Sequence, residues 1–385
     1  MPLARIVRSA RPVLPPKPWV VALAAVATTL LARVSPAAAG EAPAPSASAA
    51  PASSDAGGEL YRRYCQLCHA AEGTGYAADE APSLVSATYL ESASDAFIAR
   101  GIRYGRPNTA MAAYGKARGG PLDDLQIAAI VRFLRAKGPK ATKLPDFAPR
   151  GDAARGAALF SRECQRCHGT ARERGTAPQL HNPELLAAAS PSFLRHAILK
   201  GRPPTRMPSF EQRLTVGEVA DVVTYLASTR TPAPSATPID ATVPDAAPLV
   251  IHPGGKAPAF TLREGRFVAT EQVAQALADK RRMIVIDARS PSDWIQFHIP
   301  GAVSIPYYDT ARLDRIPNDG TWVVAYCACP HHASGEIVDA LRRRGHANAV
   351  VLDEGILHWR RRGYPLEGQA PREPEAPAAS SAGKH

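Results

Sequence analysis

The 385-residue chain is poor in cysteine and methionine, with six of the first and four of the second. Four of the cysteines fall in two short motifs, so too few remain for the disulfide framework typical of small secreted domains. Long apolar runs are missing as well. The longest, Trp19 to Ala32, has about 14 residues, which is short for the roughly 20 that span a bilayer.

The two motifs have the same spacing, Cys-x-x-Cys-His, and begin 99 residues apart at Cys65 and Cys164. Two cysteines at this spacing form thioethers with the vinyl groups of a haem, and the next histidine ligates the iron. The pattern therefore predicts two covalent haem c groups. Their attachment residues would be Cys65, Cys68, Cys164 and Cys167, with His69 and His168 as proximal ligands.

The surroundings of the motifs also repeat. A Gly-Arg-Pro segment follows each motif, and Met111 and Met207 come 42 and 39 residues after His69 and His168. A thioether is a soft, neutral ligand that favours reduced iron, so we expect the axial pairs His69/Met111 and His168/Met207. The alternatives are that both methionines only pack a core, or that His181 or His196 ligates the second iron. Since these histidines have no counterparts in the first repeat, we interpret them as surface or hydrogen-bonding residues.

Each repeat ends in a segment with helical apolar spacing, Leu122 to Leu134 and Leu214 to Leu226, and Thr215 with Glu218 predicts a capping box. A helix, a haem motif, a loop with methionine and a closing helix resemble class I cytochrome c, twice over. The resemblance implies two all-α domains that carry electrons and exchange them with redox partner proteins.

The N-terminal residues 1–39 have the features of an export signal: basic residues, an apolar stretch and small residues before Gly40. We expect a periplasmic protein, or a membrane-anchored one if the signal stays uncleaved. The formal charge is +11, but five basic residues and no acids precede Gly40, which leaves +6. The propionates of two haems reduce this further, so the charge does not support nucleic-acid binding.

Low-complexity segments predict the domain boundaries. The Ala/Pro/Ser-rich residues 40–55 and the Pro-containing residues 139–150 flank a first cytochrome domain at 56–138. A second cytochrome domain at 151–228 precedes a Pro-rich linker at 229–258. A third domain would span 259–368, with a disordered tail at 369–385.

The third domain changes from helical spacing to an α/β pattern. Met283 to Ile286, Trp322 to Tyr326 and Ala349 to Leu352 are continuous apolar runs, as in parallel strands buried on both faces. Its residues resemble the rhodanese family at Asp287-Ala288-Arg289, at His298-Ile299-Pro300-Gly301-Ala302 and at the closing segment around Trp359. The resemblance implies an α/β fold with a parallel sheet, and it places Cys327 at the catalytic cysteine.

Cys327 lies between a predicted strand and a predicted helix, where backbone N–H groups and the helix dipole favour a thiolate or persulfide. Cys329 is a candidate resolving thiol. The loop departs from the family pattern, because Pro330 and His332 stand where glycine and arginine are typical. Proline removes an N–H donor and histidine removes a permanent cation. A metal site formed by Cys327, Cys329, His331 and His332 is a further alternative.

Two functions fit these features. In the first, a periplasmic dihaem cytochrome takes electrons from a sulfur compound such as thiosulfate or polysulfide, whose sulfane sulfur is carried as a persulfide on Cys327. In the second, the chain is a pure respiratory electron carrier with an inactive rhodanese-like docking or sensory module. A dihaem thiosulfate dehydrogenase is disfavoured, because no cysteine remains in the haem repeats to serve as an unusual iron ligand.

Overall fold

The computed structural model describes residues 55–237, 239–243, 248–328 and 331–369. The predicted signal at 1–39, nearly all of the linker at 40–55, Cys329 and residues 370–385 of the tail lie outside these ranges. No helix in the described ranges combines the length and apolar character needed to cross a bilayer.

The first haem repeat is helical. Its helices are α1 (Ala56–Tyr64), α2 (Gln66–His69), α3 (Ala87–Ser92), α4 (Asp95–Tyr104) and α5 (Asp124–Arg135). Helix α5 begins at a capping box between Asp123 and Gln126, which pairs two backbone N–H groups that the helix itself leaves unbonded. It packs its apolar face against α1.

The second repeat has the same order. Its helices are α6 (Ala153–Glu163), α7 (Gln165–His168), α8 (Pro183–Ala188), α9 (Pro191–Lys200) and α10 (Val216–Ser228). The predicted capping box is confirmed, since Thr215 and Glu218 each bond the other's backbone N–H at the start of α10. Val219, Val222, Val223 and Leu226 of α10 are buried, as the apolar spacing predicts.

The two repeats contact each other through equivalent positions. Phe97 of α4 and Phe193 of α9 occupy the same offset in their helices, and their ring centroids lie 4.5 Å apart. Ser86, before α3, donates a 2.9 Å hydrogen bond to the Pro203 carbonyl, and Asn182, before α8, donates one of 2.9 Å to the Pro107 carbonyl. These reciprocal bonds are those of an approximately twofold arrangement, in which each Gly-Arg-Pro loop meets the other repeat.

The third domain is an α/β layer structure. Its strands are β1 (Leu262–Arg263), β2 (Phe267–Val268), β3 (Ile284–Asp287), β4 (Val303–Ser304), β5 (Val323–Tyr326) and β6 (Ala349–Leu352), and its helices are α11 (Thr270–Ala278), α12 (Pro291–Gln296), α13 (His332–Arg343) and α14 (Gly355–Arg361). The sheet order is β1-β2-β6-β5-β3-β4, parallel except for the β1–β2 pair. The three predicted strands are therefore confirmed, and all residues of β3, β5 and β6 are buried between two apolar layers.

The predicted Pro-rich linker follows the surface of the domains it connects. Thr237 accepts a 2.7 Å hydrogen bond from Arg118 of the first repeat, and Ser235 donates its backbone N–H to Glu184 of the second. Ile251 pairs with Met283 in a bridge beside β3. Packing against the third domain thus begins before residue 259.

Candidate functional site

Both motif histidines are oriented by a backbone carbonyl. Nδ1 of His69 lies 2.9 Å from the Pro82 oxygen, and Nδ1 of His168 lies 2.7 Å from the Pro178 oxygen. Because a carbonyl only accepts hydrogen bonds, Nδ1 carries the proton and the Nε2 lone pair is left for a metal. Burial lowers the pKa of both imidazoles, against the effect of the carbonyl hydrogen bond. Each ring is thus held as a neutral ligand.

The two methionine loops have the same hydrogen-bond pattern. The Met111 carbonyl accepts from the Arg106 N–H at 2.7 Å, and the Met207 carbonyl accepts from the Arg202 N–H at 3.0 Å. A threonine hydroxyl accepts from each methionine N–H, at 3.1 Å in the first repeat and 3.2 Å in the second. His181, the competing candidate, hydrogen-bonds the Tyr225 hydroxyl at 3.1 Å, in agreement with the predicted hydrogen-bonding role.

The motif cysteines suit thioether formation. Burial raises the pKa of Cys65 and Cys68 to about 12 and that of Cys164 to about 11. These thiols therefore stay protonated near pH 7. Among the residues in the described ranges, no group of three or more His, Cys, Asp or Glu side chains is placed to hold a metal ion.

Two partly buried arginines, Arg106 and Arg202, were not assigned in the sequence analysis. Arg202 bonds the Thr88 carbonyl through Nη1, while its buried Nη2 has no hydrogen-bond partner in the described structure. Burial lowers the pKa of Arg202 to about 10 and also lowers that of Arg106, its counterpart. Haem carries carboxylates that would supply the missing counter-charge. In the sequence, the repeated Gly-Arg-Pro segment could have identified both arginines.

Cys327 lies directly after β5 and before α13. Its side chain is buried, its Sγ lies 3.2 Å from the Ser334 hydroxyl, and its carbonyl accepts from the Ile356 N–H at 2.9 Å. Ser334 is in the first turn of α13, where backbone N–H groups and the helix dipole stabilise negative charge. This local geometry suits a cysteine that carries a thiolate or a persulfide.

The first of the two histidines in the loop, His331, has partners of its own. His331 has φ of 80°, stacks on Phe267 and places Nε2 2.7 Å from the Asp353 carboxylate. That pairing directs His331 away from joint metal ligation with Cys327. Cys329 and Pro330 lie outside the described residues, so the roles predicted for them remain predictions.

Arg289 and Asp287 form a buried ion pair at the end of β3. Arg289 binds Asp287 through two nitrogens, with Nε 3.0 Å from Oδ1 and Nη2 2.7 Å from Oδ2. Tyr326 donates its hydroxyl to the same carboxylate at 2.9 Å. Asp293 is close to this pair, with Oδ2 3.9 Å from Arg289 Nη1. Burial raises the pKa of Asp293 to about 6, against the effect of Arg289.

The third domain packs against the first haem repeat. Ser292 of α12 donates a 2.6 Å hydrogen bond to the Ala113 carbonyl, two residues after Met111. The Tyr308 ring meets the Tyr64 ring edge-on at 4.8 Å between centroids. Tyr307 donates its hydroxyl at 3.0 Å to the carbonyl of Tyr64, the residue that precedes the first haem motif.

This packing brings the two predicted sites to one cavity of about 40 Å³. The third domain contributes Asp293, Tyr307 and Cys327 to its wall, and the first repeat contributes Leu67, Cys68 and Tyr114. The negative charges of Asp79 and Cys327 add to burial in raising the pKa of Cys68. The candidate sulfur carrier and a predicted haem-attachment cysteine therefore face the same small space.

Known families match both parts of the chain. The family described as cytochrome C oxidase, cbb3-type, subunit III matches residues 52–134 and again 151–226, and the rhodanese-like domain family matches residues 269–362. The cytochrome matches imply haem c and electron transfer.

Individual proteins resemble single parts of the chain. A sulfurtransferase of Allochromatium vinosum is 31% identical over 100 residues, which are 26% of this chain and 92% of that protein. A dihydro-heme d1 dehydrogenase of Pseudomonas aeruginosa is 39% identical over 100 residues, 26% of this chain but only 20% of the dehydrogenase. Among solved structures, the Kuenenia stuttgartiensis reducing HAO-like protein complex Kustc0457/Kustc0458 is similar at 20% identity and a TM-score of 0.33, covering 46% of this chain and 96% of that one.

The family match at 269–362 concerns the third domain, whose parallel sheet and Cys327 loop have been described, and the similarity to the sulfurtransferase covers 92% of that protein. The two cytochrome matches coincide with the two helical repeats and their haem motifs. The chain therefore belongs to the rhodanese-like family through its C-terminal domain, which follows two cytochrome c domains of the cbb3-type subunit III kind.

Proposed function

We propose that the protein is a periplasmic dihaem cytochrome c that receives electrons from sulfur held on Cys327 and passes them to a redox partner. The observation that carries this proposal is the cavity shared by Cys327 and Cys68. In a fusion of independent modules, a linker of this length would allow the two sites to stay far apart. Here side chains of the third domain bond the backbone on both sides of the first haem site.

The residues that would hold the haems are those of the two repeats. Cys65, Cys68, Cys164 and Cys167 would attach them, and the axial pairs would be His69/Met111 and His168/Met207. Bound haem c would supply one-electron redox chemistry at each repeat. The chain's own contribution is to hold neutral imidazoles by carbonyl bonds and to bury cationic arginines near the methionine loops.

Export forms part of the proposal, because the basic and apolar residues 1–39 resemble a cleavable signal. Mass spectrometry of the protein recovered from the periplasmic fraction tests it. We expect an N-terminus near Gly40 and a mass increased by two covalent haems. A chain that retains residues 1–39 in the membrane fraction would show an anchored form instead.

The central test is a reduction assay on oxidised holoprotein with sulfide, thiosulfate and polysulfide. We expect the haem absorption bands to change to those of the reduced form in the wild type and much more slowly in Cys327→Ser. Ascorbate serves as the control, because it should reduce the haems of both proteins alike. Equal reduction of wild type and Cys327→Ser by every sulfur donor would refute the proposal.

A pure electron carrier with an inactive rhodanese-like module is the second candidate. The burial of Cys327 beneath the first repeat favours it, because a covered thiol is shielded from reagents in solution. Iodoacetamide labelling followed by peptide mass analysis separates the two functions. A Cys327 that resists alkylation in the folded holoprotein, and carries no cyanide-labile sulfur, supports the second.

A further inference from the structure

The cavity at Cys327 restricts the sulfur donor by size. Its volume of about 40 Å³ corresponds to about three water molecules. Only 2% of the Cys327 surface is exposed, and the first repeat covers it with Leu67, Cys68 and Tyr114. We therefore expect a donor with only a few heavy atoms.

The cavity also restricts the donor by charge. Arg289, the arginine in its wall, is already neutralised by two bonds to Asp287 and by the nearby Asp293. The Tyr114 and Tyr307 hydroxyls remain protonated, because burial raises the pKa of both. A dianion such as thiosulfate would meet the Asp293 carboxylate, while the guanidinium of Arg289, among the described residues of the wall, is already paired with Asp287. A neutral or singly charged donor avoids this cost.

Asp293 is a candidate base because it lines the same cavity as Cys327. Its side chain is 13% exposed, and Asp293 lies in the wall shared with Cys327. The nearest cation is 3.9 Å away, beyond hydrogen-bonding distance, and no donor in the described residues bonds the carboxylate oxygens. A mostly covered carboxylate that no protein group donates to is satisfied by water, by a bound molecule or by a transferred proton.

We propose that this cavity takes a short inorganic polysulfide, and that Asp293 accepts the Cys327 proton as sulfur is transferred. This inference rests on the proposed function, whose site it specifies. With hydrodisulfide as donor, the Cys327 thiolate attacks the terminal sulfur and a new S–S bond forms. The donor's S–S bond breaks, and the proton taken by Asp293 passes to the departing sulfur. Cys327 becomes a persulfide and hydrosulfide leaves, with no net change in electrons or protons.

The test measures sulfur on Cys327 directly, by mass spectrometry of its peptide from holoprotein treated with disodium disulfide or with thiosulfate. We expect rapid loading by the disulfide salt and slow loading by thiosulfate. Asp293→Asn should slow loading by about 10²-fold, as when a general base is removed. Equal loading by both donors would refute the size and charge argument, and unchanged loading of Asp293→Asn would refute the role of that carboxylate.

A second pair of variants tests whether packing of the domains causes the selectivity. Tyr64→Ala and Tyr308→Ala remove opposite halves of the ring contact between the domains. We expect thiosulfate to load Cys327 in both variants. Because the two substitutions lie in different domains, misfolding of one domain would not produce this result in both. If thiosulfate loads Cys327 in neither variant, packing of the first repeat against Cys327 is not the cause of the selectivity between donors. Loading without haem reduction would refute only the proposed function, whereas haem reduction accompanied by equal loading with both donors would refute only this inference.

Discussion

The two haem motifs differ at one position, which is Leu67 in the first and Arg166 in the second. Leu67 and Cys68 lie in the wall of the Cys327 cavity, whereas Arg166 and Cys167 are exposed. An apolar residue suits a motif covered by another domain, and an arginine suits one that faces water. The comparison distinguishes a first motif covered by the third domain from a second motif exposed to solvent, and under the proposed function the second would be the one that a redox partner reaches.

The loops after the predicted axial methionines also distinguish the two repeats, because the first loop is longer. Leu122 follows Met111 by 11 residues, while Leu214 follows Met207 by only seven. The longer loop includes Ala113, whose carbonyl binds Ser292, and Gly119, where an added Cβ would come within 2.5 Å of Ile295. The extra residues of the first repeat thus form part of the contact with the third domain.

Removal of one haem at a time is the strongest test of the difference between the two repeats. In Cys65→Ala with Cys68→Ala the first haem is not attached, and in Cys164→Ala with Cys167→Ala the second is not. We expect polysulfide to reduce the remaining haem more than about 10²-fold more slowly in the first variant, because proximity to Cys327 is lost. The measurement is the rate of the visible absorption change. Similar rates in both variants would show that the two repeats are equivalent.

The residue before each motif gives a smaller test of the same contrast. Tyr64 packs on Tyr308 of the third domain, whereas Glu163 at the same offset pairs with surface arginines. Tyr64→Ala should cost about 3–5 kcal/mol of unfolding free energy, as for a buried aromatic ring, whereas Glu163→Ala should change it by about 0.5 kcal/mol or less.

Urea unfolding followed by tryptophan fluorescence measures both variants, because three of the four tryptophans, Trp294, Trp322 and Trp359, are in the third domain. In Tyr64→Ala we expect an earlier fluorescence transition than in the wild type. An equal shift in Glu163→Ala would indicate that the contact with the third domain does not distinguish the repeats.

Features that depend on local spacing were predictable from the sequence. The capping box at Thr215 follows from residues three apart, and the buried strands follow from continuous apolar runs. The first residue of helix α13, His332, was not predictable, because helical spacing marks apolar positions and not the first turn.

The shared cavity was not predictable in this way. The bond from Ser292 to Ala113 joins positions 179 residues apart, and neither a serine hydroxyl nor a carbonyl signals a partner by spacing. In the sequence Asp293 is an ordinary polar residue at a helix start, and only tertiary packing places it in the cavity wall that also contains Cys327. The sites themselves were recognisable in the sequence, but their juxtaposition arises from contacts with no periodic pattern.

A pH test examines the role proposed for Asp293 in the cavity beside the first motif. The folded-state pKa of Asp293 is about 6, above its ordinary value of 3.8. Between these values the unfolded chain loses the proton first, so the wild type loses stability as pH rises. Asp293→Asn should therefore be more stable than wild type at pH 7, by up to about 3 kcal/mol, and similar below about pH 4.

Chemical unfolding at pH 4 and pH 7 measures this difference. Asp314→Asn is the control, because that carboxylate is 73% exposed and pairs with Arg344 at the surface. A purely structural Asp293 would give the opposite result, a less stable protein at pH 7 after substitution. Stabilisation combined with slower sulfur loading would mark a residue kept for chemistry at a cost to the fold.

The smallest expected effect concerns the exposed second motif. Arg166→Glu reverses a charge next to Cys167, and Arg343→Glu makes the same change in net charge on α13 of the third domain. With ferricyanide as an anionic oxidant, reoxidation of the reduced protein should slow several-fold at low salt in Arg166→Glu only. The difference should vanish near 1 M salt, where charges are screened within about 3 Å. Equal slowing in both variants would reflect net charge alone, and would remove the reason to assign electron exit to the second repeat.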